Sequence, residues 1–103
     1  MDRIEKIKEF LVSKPGDAFL QHALALEYVK LGRDEEARLL FTEILDREPS
    51  YTGSYYHLGK LLERTGHPEE ALAWYEKGMK ACQAANDRHA YGELRGAYEE
   101  LSF

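Results

Sequence analysis

The sequence predicts an all-α protein, an antiparallel array of helix–turn–helix repeats with about six helices. Three observations predict it. Positions recur 34 residues apart: Leu24 returns as Leu58, Gly32 as Gly66, and Glu35-Glu36-Ala37 as Glu69-Glu70-Ala71. Phe41 returns as Tyr75, Ala25 as Gly59, Leu11 as Leu45 and Pro15 as Pro49. Apolar residues fall at helical spacing between turn residues. No low-complexity tail or long linker interrupts the pattern, so nearly every residue belongs to an element.

The first helix is expected over about Asp2 to Ser13, where Ile4, Ile7, Phe10 and Leu11 form one apolar stripe that should cover the first repeat. Lys14-Pro15-Gly16 stops it, because the residue before proline resists the α region. Asp17 offers an N-cap oxygen to a helix of about Ala18 to Leu31, whose broad apolar surface suits packing on two neighbours. Gly32 ends that helix by supplying left-handed backbone geometry. The third helix spans about Asp34 to Arg47, with three carboxylates at its positive N-terminal end. A fourth covers about Thr52 to Arg64 and stops at Gly66. Pro68 opens the fifth, where a missing N–H costs nothing, and that helix runs to about Ala84. Ala85-Asn86-Asp87 breaks and recaps the chain before a last helix of about Arg88 to Leu101.

This set of residues resembles the tetratricopeptide repeat. Tyr55-x-x-Leu58-Gly59-x-x-Leu62 is similar to the family's W-x-x-L-G-x-x-Y. The resemblance implies that Ala25 and Gly59, with Ala37 and Ala71, let paired helices approach. It also implies that Phe41 and Tyr75 fill the space between consecutive repeats. It divides residues 1–103, read as one domain, into a half-repeat helix at 2–14, repeats at 18–51 and 52–85, and a capping helix at 87–101. Departures are Arg3 where the family has alanine, Gln21 where it has an aromatic, and Gln83 where it has proline. The last helix fits an offset of 36, pairing Tyr55 with Tyr91, Leu58 with Leu94 and Leu62 with Tyr98.

Charge narrows the function. With 19 acidic and 14 basic residues the net charge is −5, which argues against nucleic-acid or anionic-membrane partners, since both need a basic surface. The single cysteine, Cys82, forms no internal disulfide, and a reducing, cytoplasmic compartment is expected. The charged start, Met1-Asp2-Arg3-Ile4-Glu5-Lys6, has no apolar core of signal-peptide length, and no apolar run approaches the ~18 residues of a membrane span.

Chemistry finds little support. His22, His57, His67 and His89 include no i, i+4 pair, and no His-Glu-x-x-His motif exists, so no metal site is expected. Cys82 has no identifiable base and reads as a small semi-buried filler. Glu35-Glu36 and Glu69-Glu70 sit at equivalent helix starts, where the macrodipole accounts for them better than acid–base catalysis. Gly92-x-x-x-Gly96 has two readings: a helix with a thin face, or a face left bare for a partner backbone. No enzyme and no cofactor is expected.

What remains is what the resemblance implies, a module that binds a protein or peptide on the concave face lined by the first helix of each pair. The expected binding residues are Phe19, His22 and Leu26 in the first repeat and Tyr56, His57 and Lys60 in the second, with His89 and Glu93 extending the face. Phe19 and Tyr56 serve as anchors, and Lys60 suits an acidic group. The subclass that clamps the C-terminal carboxylate of heat-shock chaperones is not reproduced: His22, Leu26 and His57 stand at matching places, and the clamping arginine falls on Tyr91 or Glu93. The alternative is a homodimer paired through end helices, using Tyr91, Gly92 and Gly96.

Overall fold

A computed structural model describes residues 2–103; Met1, which opens the charged N-terminal run, lies outside the described residues. Six helices follow in order: α1 (Arg3–Ser13), α2 (Ala18–Lys30), α3 (Asp34–Arg47), α4 (Gly53–Arg64), α5 (Pro68–Ala85) and α6 (Arg88–Ser102). The described residues contain no strand. The chain divides after Glu48 into two compact units.

Local chemistry explains the boundaries. Asp2, Asp17 and Asp87 each cap a helix, their carboxylates accepting the backbone N–H of Glu5, Leu20 and Ala90 at 2.8, 3.0 and 3.1 Å. Helices α3 and α5 start without a side-chain cap but carry acidic first turns, and α5 adds Pro68 at its first position. The exits of α2 and α4 match. Gly32 (φ 73°) and Gly66 (φ 85°) take the left-handed conformation, and the next N–H, of Arg33 or His67, reaches back to the carbonyl of Tyr28 or Leu62. That bond satisfies a carbonyl the helix end would otherwise orphan. Asn86 (φ 57°) does the same after α5, with Asp87 N–H donating to Cys82 O at 2.8 Å.

In the first unit α1 packs on α2 and α2 on α3. Leu24, Ala25 and Tyr28 of α2 and Ala37, Phe41, Ile44 and Leu45 of α3 are buried. From the α1 stripe only Ile7 is buried; Phe10 is 53% exposed. Helical spacing put Phe10 in the stripe, but it lies on the rim of that stripe, past the edge of α2's cover. Gln21, the departure from the aromatic consensus, is buried with both amide atoms hydrogen-bonded. Its Nε2 donates to Pro15 O at 3.2 Å, and its Oε1 accepts from Arg47 at 2.6 Å.

In the second unit α5 packs on both α4 and α6, and α4 also meets α6. Tyr55, Leu58, Leu62, Ala71, Tyr75 and Leu94 are buried. Two glycines let these helices close. A Cβ on Gly59 would lie 2.1 Å from Tyr75 Cε1, and one on Gly78 would lie 2.7 Å from Tyr55 Cβ. Tyr75 lies over Gly59 of its own helix pair, and the Glu100 carboxylate of α6 is near enough to act on its phenol. Tyr55 donates its hydroxyl to Pro49 O at 2.6 Å.

Candidate interaction faces

Each unit presents its own candidate residues. In the first, Phe19 stands 70% exposed at the α1–α2 corner. There it lines a recess of about 280 Å³ with Phe10, Lys14, Asp17 and Leu20. His22, one turn from the start of α2, packs edge-on against Phe41, ring centroids 5.6 Å apart. Leu26 is half-buried one turn further on.

The second unit places its three residues together. On α4, the Tyr56 and His57 rings meet edge-to-face at 5.7 Å, and Lys60 Nζ stands 5.7 Å from the Tyr56 ring centroid. Lys60 also lies 3.8 Å from Glu63, and Glu63 accepts a hydrogen bond from the Tyr75 hydroxyl. Burial holds His57 below the ordinary imidazole range, partly offset by the nearby Glu93 carboxylate. Burial, with Glu63 second, pushes the Tyr75 phenol far above its usual range, so it stays a hydrogen-bond donor.

Between α4 and α6 runs an open trough of about 210 Å³. Tyr56 and Lys60 line it from α4; Gly92, Glu93, Gly96 and Glu100 line it from α6. Glu93 belongs to the expected face, but Glu100 was missed by sequence reasoning. Its signal was available: Gly92, Gly96 and Glu100 follow one another at four-residue spacing, on one stripe of a helix.

Catalytic and metal groups are sparse. Among the described residues no group of three His, Cys, Asp or Glu side chains could hold a metal ion. Cys82 is buried, and burial followed by the charge of Asp87 pushes its thiol up, which keeps it out of the nucleophilic thiolate form. No described helix is long and apolar enough to cross a membrane.

Comparison with known proteins gives this geometry a family. The tetratricopeptide repeat profile matches residues 20–51 and 52–84. A tetratricopeptide repeat domain protein of Salinibacter ruber is 34% identical over 84% of this chain and 97% of its own, with a TM-score of 0.80. A Bordetella parapertussis protein is 24% identical over 99% of this chain and 89% of its own (TM-score 0.85). The TPR2B domain of yeast Sti1, solved in a complex with pHsp70, shares the fold at 17% identity over 96% of this chain and 79% of its own (TM-score 0.88). No curated protein sequence matches the chain. The shared fold is a protein–protein interaction module, and its proteins are typically not enzymes. Two matched repeats and a relative that is one-third identical over nearly its whole length place this chain in the tetratricopeptide repeat family.

Proposed function

We propose that the chain is a non-enzymatic adaptor that holds a segment of a protein partner on the first helices of its repeats. Phe19, His22 and Leu26 form the patch on α2, and Tyr56, His57 and Lys60 the patch on α4. The observation that carries this reading is the α4–α6 trough, where Tyr56 and Lys60 stand beside a helix face with no side chains at Gly92 and Gly96. A ring at the edge of such a trough covers apolar surface of a bound segment without first being ordered. A cytoplasmic location fits the free thiol of Cys82.

Tyr56→Ala tests it. Truncating a central aromatic anchor costs about 2 kcal/mol, roughly a thirtyfold loss of affinity. A partner captured from the native host should bind that much more weakly to the variant, whose helical circular dichroism stays unchanged. Undiminished binding would move the interface off α4. Homodimerisation through α6 is the competing reading, favoured by the same bare glycines. It requires the mass measured by light scattering to rise toward a dimer over a hundredfold concentration range.

A further inference from the structure

Beyond Gly53 at the first position of α4, four glycines lie inside the helices of the second unit, and they differ in kind. Gly59 and Gly78 are required by packing, since a Cβ on either would meet a neighbour at under 3.0 Å. A Cβ on Gly92 or Gly96 would meet nothing within 4 Å. Glycine is the poorest helix former short of proline, so nothing within the unit accounts for these two. Their effect is to leave the floor of the α4–α6 trough bare.

The walls of that trough are unequally charged. Lys60 is engaged by Glu63 at 3.8 Å. On α6, Glu93 and Glu100 stand beside the trough. Glu93 has His89 Nε2 at 3.9 Å, a partner charged only when protonated, and it also faces His57. Among the described residues no cation lies within ion-pair distance of Glu100. Lys60 thus shares the trough with two carboxylates, Glu93 and Glu100, and Tyr56 offers a ring face at the same opening.

We infer that the α4–α6 trough receives a cationic side chain, arginine or lysine, carried by a segment of the protein partner. The inference rests on the proposed adaptor role and names the chemistry of what is held. The aliphatic stem of the incoming residue lies over Gly92 and Gly96, where no Cβ obstructs it. Its charge is met by Glu93 and Glu100 and by the quadrupole of the Tyr56 ring. This reverses the expectation that Lys60 draws an acidic group, because Lys60 is already paired with Glu63 and two carboxylates line the trough beside it.

Two acetylated, amidated hexapeptides test the inference by amide NMR titration of the full chain. One repeats leucine-arginine-alanine twice, and the other has glutamate in place of arginine. The arginine peptide should move the Gly92 and Gly96 amide signals saturably, and the glutamate peptide should bind about tenfold more weakly or not at all. Adding Glu93→Gln and Glu100→Gln together should weaken the arginine peptide about fivefold. Gly96→Leu fills open space on an exposed helix and should abolish the response, with the thermal transition retained as proof of folding. Equal binding of the two peptides, or tighter binding of the glutamate one, overturns the cationic assignment and leaves the adaptor role intact. So does binding that survives Gly96→Leu, which places the peptide elsewhere. A trough silent to both peptides overturns the assignment, while the Tyr56→Ala capture experiment decides the adaptor role separately. A concentration-dependent dimer abolished by Gly96→Leu overturns it in favour of a second copy of the chain.

Discussion

The two repeats carry different residues at matching places. In the first, the aromatic on the second helix is Phe41, and the first helix carries Ala25 and Val29. Thirty-four positions on, the same three places hold Tyr75, Gly59 and Glu63. The Tyr75 ring occupies the volume a methyl on Gly59 would need, and its hydroxyl bonds to Glu63. A larger, more polar aromatic thus comes with one methyl removed and one acceptor supplied. A second set of matching positions, a pair, shows the same logic. Gln21 donates to Pro15 O in the first repeat, and its counterpart Tyr55 donates to Pro49 O in the second. The repeat preserves the hydrogen bond to the proline carbonyl, not the residue type that makes it.

The largest way to break this comparison is Gly59→Ala. A buried ring cannot yield without repacking, so the loss should be about 3 kcal/mol, the upper end for overpacking. The reciprocal Ala25→Gly should cost only about 1 kcal/mol, the helix-propensity difference. Chemical denaturation of both variants would measure the gap, and equal costs would show that the two repeats pack alike after all. Combining Gly59→Ala with Glu63→Val and Tyr75→Phe should recover at least half of the first loss, because it restores the first repeat's set.

Next in size is the hydroxyl. Phe41→Tyr should destabilise by about 2 kcal/mol, since Val29 offers no acceptor to a buried phenol. Tyr75→Phe should cost about 1 kcal/mol, the net value of one hydrogen bond. Thermal unfolding of the pair should therefore rank Phe41→Tyr below Tyr75→Phe. The opposite ranking would mean that the first repeat has an acceptor within reach of position 41.

The glycines of α6 sharpen the comparison with the opposite sign. Gly92→Ala and Gly96→Ala should each stabilise by about 0.5–1 kcal/mol, because each improves helix propensity in open space. A loss at either position in a denaturant titration would reveal packing that open space does not predict.

The smallest effect is on pH dependence and belongs to the second unit. Burial lowers the His57 pKa below its ordinary 6.5, so the unfolded chain takes up a proton that the folded chain resists. Stability should fall as pH drops from 6.5 toward the lowered value. Asp87 is depressed below its ordinary 3.8, first by the hydrogen bond from Thr52 and then by the Ala90 backbone. Its contribution is present above 3.8 and lost as pH falls through the lowered value. Denaturation at a series of pH values should show both windows. His57→Gln should flatten the first and Asp87→Asn the second; a flat parent curve between pH 6.5 and 5 would contradict the His57 reading.

Much of the fold was legible because it is written locally. Asp17, Gly32, Gly66, Pro68 and Asn86 act within a few residues of themselves, so a cap or a left-handed turn can be read from residue type and position. The period carried the helix pairing. The departures were visible too, but not their resolution: Gln21 read as a lost aromatic until the Pro15 carbonyl and Arg47 stood beside it. Phe10 was placed in the buried stripe because spacing reports the side of a helix and not how far its neighbour reaches.

The sequence by itself determined six helices, their order, their ends and the family, since these rest on a 34-residue period and on short-range backbone chemistry. Tertiary structure alone decided that Gly78 is obligatory and that Gly92 and Gly96 are not. Gly59 and Gly78 face side chains from other helices, and Gly92 and Gly96 face open space, and of the four the repeat register marks only Gly59 in advance. It also decided the charge of the trough, because Lys60 and Glu100 come from helices far apart in the chain and meet only when α4 lies beside α6. Steric room and net charge at a point depend on distances across the fold, and a linear pattern contains neither.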